Sequence, residues 1–290
     1  METGNKQIAI LHDIIDEGFD SSHVLSYHMS VQLSTDGLVF CILDQKNNKY
    51  LLLKSYRFNK IYASAQLAET FESIILQDDL LVKNYKSVSI VIINNQFTIV
   101  PSPLFDIAMQ KLYLKFNAGF DDNTMVCNDL LKCIEARNVY AIPHEIDKVI
   151  RKNFGSYNII HNTSSLIESL INRNKNSSNN QLFVNVGLSS FDMVLINGNK
   201  LECCNSFTYQ SSEDFVYYLL FSCEQLKLNP ENINLVLAGQ VEKTSPHFTM
   251  LHNYIRNISF VSRNEAYSYS YKFDEIPGNF YYNLFNVGML

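Results

Sequence analysis

One order of patterned segments occurs twice in this chain, roughly 150 residues apart. The first copy opens with three β-prone runs, "MSVQLS", "LVFCILD" and "KYLLLKSYRF", separated by "TDG" and "QKNN". Asp-Gly between β-prone runs marks a hairpin. A helix follows in "SAQLAETFESIILQDDLL", where Leu67, Phe71, Ile74 and Ile75 recur at helical spacing. Then "SVSIVII" has the unbroken apolar character of a strand buried on both faces. The second copy begins with "LFVNVG", "SFDMVLING" and "KLECCNSFTY". It continues through the helix "SSEDFVYYLLFSCEQLKL", with Ser211 or Ser212 as N-cap and acids in the first turn. The buried strand "NINLVLAG", the helix "HFTMLHNYIRN" and the strand "ISFVS" complete it. Such a repeat predicts a duplicated α/β architecture.

Between the copies, the pattern predicts a strand in "FTIVP" and a helix over "SPLFDIAMQKLYLKF", then a less regular segment. "NVYAIP" (strand), "HEIDKVIRKNF" (helix), "YNIIH" (strand) and "SSLIESLINR" (helix) follow. The polar run "NKNSSNN", residues 174–180, cannot bury a core face and marks the domain boundary. The expected halves are 1–176, with a strand-helix insertion near 87–140, and 177–290. Proteolysis is expected first between Asn172 and Gln181 or in the N-terminal 20 or so residues. "AYSYSYKF" alternates like an edge strand, and "PGNFYYNLFNVGML" reads as a short aromatic helix packing back through Phe280, Tyr281, Leu284 and Phe285.

The chain has 290 residues, 47% of them hydrophobic, enough for a sizeable core. Its formal net charge of −6 disfavours a nucleic-acid partner. The start lacks a signal peptide's basic region and cleavage site, and no apolar run reaches membrane-spanning length. With 6 cysteines and no C-x-x-C pair, buried free thiols and a cytoplasmic location are expected.

The hairpin "LFVNVGLSSFDMVLI" carries the chemical interest. A glycine and two serines at a hairpin tip form a cup of backbone N–H groups suited to phosphate. Here Asn185 precedes Gly187, with Ser189 and Ser190 following. The stretch Asn185 to Asp192 resembles the second phosphate hairpin of the actin-like ATPase superfamily, "D-[IV]-G-x-[GS]-[ST]-x-D", in the flavour of its pilus-assembly and cell-division members. The superfamily's first hairpin, "D-x-G-[ST]", aligns with Gln32, Leu33, Ser34 and Thr35, and its adenosine motif "G-G" with Gly239 and Gln240. The whole chain is also similar to a bacterial family described as a domain of unknown function, through "MSVQLSTDGLVFCILD", the run 142–161 and "FVNVGLSSFDMVLI".

The resemblance implies an actin-like (ribonuclease H-like) fold with two domains around a cleft. In active members the two hairpin acids hold the hydrated Mg²⁺ of the bound nucleotide. Gln32 and Asn185 offer only neutral oxygens where magnesium wants charged ones. Ser34 adds a side chain where phosphate would lie, and Gln240 one where adenine would pass. Asp36 and Asp192 lie near the turns as possible substitutes. His144, Glu145 and Asp147 are base candidates, or simply acids at a helix start. The expectation is therefore a vestigial nucleotide site of Ser34, Thr35, Asn185, Gly187, Ser189, Ser190 and Gly239. No catalytic residue, metal or cofactor is expected, ATP should bind weakly or not at all, and the role should lie in binding a protein partner. A residual nucleotide binder or slow ATPase is the alternative, and a small-molecule kinase the third reading.

Overall fold

The computed structural model describes residues 8–119, 123–175 and 180–289. The chain runs β1 (Ile8–Ile15), β2 (Tyr27–Ser34), β3 (Gly37–Asp44), β4 (Lys49–Phe58), α1 (Ser64–Gln77), β5 (Ser87–Ile92) and β6 (Phe97–Pro101). Next come α2 (Gln110–Asn117), β7 (Thr124–Leu131), β8 (Ala136–Pro143), α3 (His144–Asn153), β9 (Asn158–His161) and α4 (Asn162–Asn174). The remainder is β10 (Asn180–Val186), β11 (Ser190–Asn197), β12 (Lys200–Thr208), α5 (Ser212–Gln225), β13 (Asn234–Gly239), α6 (Pro246–Leu251), β14 (Asn257–Phe260) and β15 (Ser268–Tyr269).

The repeat in the sequence is a repeat in space. One sheet has the order β1-β4-β3-β2-β5-β9, and another β12-β11-β10-β13-β14. Within them, β4-β3-β2-β5-β9 and β12-β11-β10-β13-β14 share one plan. An antiparallel meander is followed by two parallel strands. Helical crossovers supply the length that parallel neighbours need.

β3 is apolar at nearly every position because both its faces are covered. Leu38, Phe40 and Ile42 join a core with Phe71 and Ile74 of α1 and Ile150 of α3. Val39, Cys41 and Leu43 join a second core with Phe273, Ile276, Tyr281, Leu284 and Phe285, from far along the chain. The second sheet packs Leu182, Val184 and Met193 against Phe215 and Leu219 of α5 on one face. Its other face, through Phe183, Val194 and Ile196, meets Leu166, Ile167, Leu170 and Ile171 of α4.

Several expectations need correction. The pattern places the first strand at "MSVQLS", yet β1 precedes it and pairs antiparallel with β4, with a register shift between Ile10 and His12. Its interrupting His12 and Asp13 conceal a half-exposed edge strand. Of the helix expected from residue 102, only α2 is α-helical; Ser102–Leu104 and Ile107–Met109 are 3-10 turns. Pro103 opens the first turn, and the Asp106 side chain accepts the Ala108 N–H to begin the second. The irregular segment after it contains β7, which pairs with β8, and β8 with β6, in a separate antiparallel sheet. The aromatic helix near residue 280 is 3-10, Leu284–Met289. α6 spans only Pro246–Leu251. The edge strand in "AYSYSYKF" is two residues long, parallel to β4. The cysteines are free, but only Cys41 and Cys223 are fully buried. Of the boundary run 174–180, residues 176–179 lie outside those described.

Candidate functional site

The two hairpin tips meet. Thr35 and Asp36 connect β2 to β3, and Gly187 to Ser189 connect β10 to β11. Ser189 Oγ donates to Asp36 Oδ2 at 2.5 Å, and Ser34 Oγ donates to Asp36 Oδ1 at 2.6 Å. A single carboxylate thus clasps both tips. The hairpin glycine's amide is also engaged, since the Gly187 N–H donates to Ser190 O at 2.8 Å.

Ser34, Asn185, Gly187, Ser190 and Gly239 line a common cavity, together with Gln32, Gln240 and Asp192. Thr35 and Ser189 line a neighbouring groove, which shares Ser34, Asp36 and Ser190 with this cavity. The cavity holds only about 70 Å³, whereas small-molecule sites run to roughly 300 Å³ and above. His144, Glu145 and Asp147 do not line it. Asp147 instead pairs with Arg151 at 2.7 Å, and Glu145 accepts the Asn123 amide.

The space is filled by the chain itself, through residues that the sequence reading missed. Asn283 Nδ2 donates to Asn162 Oδ1 and to Asn162 O, and Ser165 Oγ donates to Asn283 Oδ1 at 2.7 Å. Asn279 Nδ2 donates to the carbonyls of Gly239 and Val241 at 2.9 and 2.8 Å, and accepts the Gly239 N–H through its own carbonyl. Asn279, Asn283 and Asn286 are all buried, the first two in the turns that precede the 3-10 segment Leu284–Met289 and the third within it.

Asp192 lies directly opposite Asn185 in the β10–β11 ladder, so the two side chains share a face. Its carboxylate accepts from Asn162 Nδ2, from Ser206 Oγ at 2.8 Å and from Asn185 Nδ2 at 3.3 Å. Burial pushes its pKa up, against these three neutral donors. The arrangement fits an acid held by amides and a hydroxyl. Restoring an acid at the hairpin by Asn185→Asp would face Asp192 with a second carboxylate in place of a donor. The variant is expected to lose about 1 to 3 kcal/mol near neutral pH. The loss should shrink in acid, where one carboxyl protonates. Urea unfolding at two pH values checks this, and an unchanged or raised midpoint would contradict it.

A second buried network stands beside the cavity. His161 ends β9 and caps α4, with Nδ1 near Thr163 Oγ1 at 2.8 Å and Thr163 N at 3.3 Å. Asn138 Nδ2 donates to Thr163 and Ser164, each at 2.9 Å. Burial lowers the His161 pKa to about 3. A lowered histidine pKa stabilises the fold fully above the unfolded value near 6.5, and that contribution is lost as pH falls toward 3. Between pH 6.5 and 5, His161 should therefore cost about 2 kcal/mol of stability. A His161→Gln variant should show a correspondingly flatter stability profile, measured by denaturant unfolding across that range. Parallel profiles would refute the assignment.

The twofold meander-and-parallel plan, with hairpin tips facing across a cleft, defines an actin-like ATPase fold. It is shared with a Bacteroides thetaiotaomicron protein of actin-like ATPase fold and unknown function. The TM-score is 0.76 at 23% identity, over 84% of this chain and 93% of that one. A protein in the PilM–PilN type IV pilus biogenesis complex aligns with TM-score 0.60 and 15% identity, over 89% of this chain and 97% of its own. Residues 16–258 match the family "Protein of unknown function (DUF3822)", and the chain belongs to that family. No curated protein matches it.

Proposed function

We propose that this protein is a non-catalytic actin-like module that works by binding another protein. The observation carrying the proposal is the cleft filled from within: Asn162 and Asn283 line it and hydrogen-bond to each other, Asn279 holds Gly239 at its wall, and about 70 Å³ remains. A triphosphate placed there would have to displace those bonds and break the Asp36–Ser189 clasp, with Gln32 and Asn185 offering no charge to its metal. Residues 1–176 and 177–290 are taken as the two halves, and the cytoplasm as the location. No helix among the described residues is long and apolar enough to cross a membrane. PilM, of similar fold, is found in a protein complex, which supports an interaction role.

Titration calorimetry with Mg·ATP is the test. Binding is expected to be undetectable or roughly millimolar, about −4 kcal/mol. The Gln32→Asp and Asn185→Asp double variant should gain no turnover. Micromolar, Mg²⁺-dependent binding by the unaltered chain would replace this reading with that of a nucleotide binder or slow ATPase.

A further inference from the structure

Beside the clasp the cleft opens again, into a groove of about 640 Å³. Asp36, Asn94, Asn95, Thr208, Asp214 and Tyr218 are among the groups that line it, and no lysine or arginine does. Neither carboxylate has a cationic partner among the described residues: Asp36 is held by serine hydroxyls, and Asp214 Oδ2 accepts the Gln210 N–H. The volume lies in the range of occupied binding sites.

The groove continues into two unpartnered surfaces. β12 is the last strand of its sheet, nine residues long, and pairs only with β11 among the described residues. The Tyr209 N–H donates to Ser189 O. By strand alternation, the N–H groups of Thr208, Ser206 and Cys204 point away from β11, toward the open side. Apart from Lys200, β12 has neither the lysines nor the proline that usually blunt such an edge. Beside it, α5 exposes Tyr217 (61%), Phe221 (47%) and Tyr218 (36%). Tyr218 stacks on Phe207 of β12, and Tyr217 on Phe221. α5 carries Glu213, Asp214 and Glu224 and no basic residue.

We propose that this groove and the free edge of β12 dock an extended basic segment of a partner protein. The segment adds a strand to β12 and sets lysine or arginine side chains against Asp36, Asp214 and the Tyr218 ring. Main-chain bonds to the free edge supply affinity, and the side-chain contacts supply selection. Cations favour both the acid-lined groove and the faces of exposed aromatic rings. A second copy of this chain is the poorer occupant, because edge-to-edge pairing would set Glu202, Glu213 and Asp214 against the same acids. This rests on the interaction-module reading and names the chemistry of its partner.

The probe is a fluorescein-labelled heptapeptide, Thr-Arg-Val-Arg-Val-Arg-Thr, with a counterpart in which glutamate replaces arginine. The full chain should bind the arginine peptide and not the glutamate one. Binding should weaken at least about tenfold in Tyr218→Ala and in Asp214→Asn, and also when salt rises from roughly 50 to 300 mM. In unaltered protein, hydrogen exchange at Thr208, Ser206 and Cys204 should slow on peptide addition, a readout that needs no variant. Thr208→Pro removes an outward N–H and should abolish binding. Equal binding of both peptides, unchanged exchange at those amides under saturation, or no binding at roughly millimolar peptide would each overturn the proposal. Mg·ATP titration of the same samples separates its failure from that of the broader reading, since peptide binding does not depend on the nucleotide result.

Discussion

Gly239→Ala is expected to lose about 3 kcal/mol or more of stability, whether or not a nucleotide ever reaches that residue. Gly239 ends β13 with φ +80, a conformation open to glycine and costly for alanine. A Cβ there would lie 2.2 Å from Val186 O and 2.8 Å from Val186 N, both backbone atoms of the neighbouring strand. Neither can swing aside as a side-chain tip could. The close approach is fixed from both ends: Gln240 N donates to Val186 O at 2.7 Å, and Gly239 N to Asn279 O at 2.8 Å. Strained backbone and a forced shift together belong to the mechanisms behind the largest single-site losses. Chemical denaturation measures it. A loss below about 1 kcal/mol would show that Gly239 was free of this constraint, and would reopen the reading of the glycine as one kept for a ligand.

The second large effect concerns the segment that closes the outer face of the first sheet. Phe285 is 2% exposed and rests edge-on against Tyr50, 4.7 Å between ring centroids, with Tyr269 and Phe273 around it. Tyr50 Oη donates to the Phe285 carbonyl at 2.6 Å. Phe285→Ala should cost about 3 to 5 kcal/mol, the range for a large aromatic removed from a packed core. Deleting residues 277–290 should go further. It uncovers Val39, Cys41, Leu43 and Leu53 together and removes Asn279 and Asn283 from the cleft. Total stabilities of about 5 to 15 kcal/mol leave little reserve. The shortened chain is expected to lose its cooperative unfolding transition and to bind a hydrophobic dye. A cooperative transition within about 1 kcal/mol of the full chain would show that the segment is only an appendage.

The sequence was most legible where burial is symmetrical. β2, β3, β5, β10, β11 and β13 stand out because apolar runs of strand length sit between turn residues, and their order carries most of the duplicated plan. β1 was hidden because an edge strand with one wet face tolerates His12, Asp13 and an irregular register. β7 was hidden by Asn128 and Asp129, whose polarity serves contacts with Arg137, Tyr140 and His161. At the site, the neutral side chains of Gln32 and Asn185 at the two hairpins were readable from the sequence. The filling of the cavity was not, because Asn283 meets Asn162 across 121 positions, a distance that no local pattern encodes. Asp192 was readable as an acid near the turn; its place opposite Asn185 follows from register, which needs the β10–β11 pairing to be known.

The returning segment also bears on how the protein is made. Tyr50 and the carbonyl it binds are 235 positions apart. Synthesis advances at about 5 to 20 residues per second, so β3 and β4 leave the ribosome roughly ten seconds or more before Phe273 to Phe285 exist. Throughout that interval one face of the first sheet, with Val39, Cys41, Leu43 and Leu53, has no native cover. The nascent chain therefore passes through a stage in which it is a natural client for a chaperone, and slow codons late in the message would lengthen its exposure.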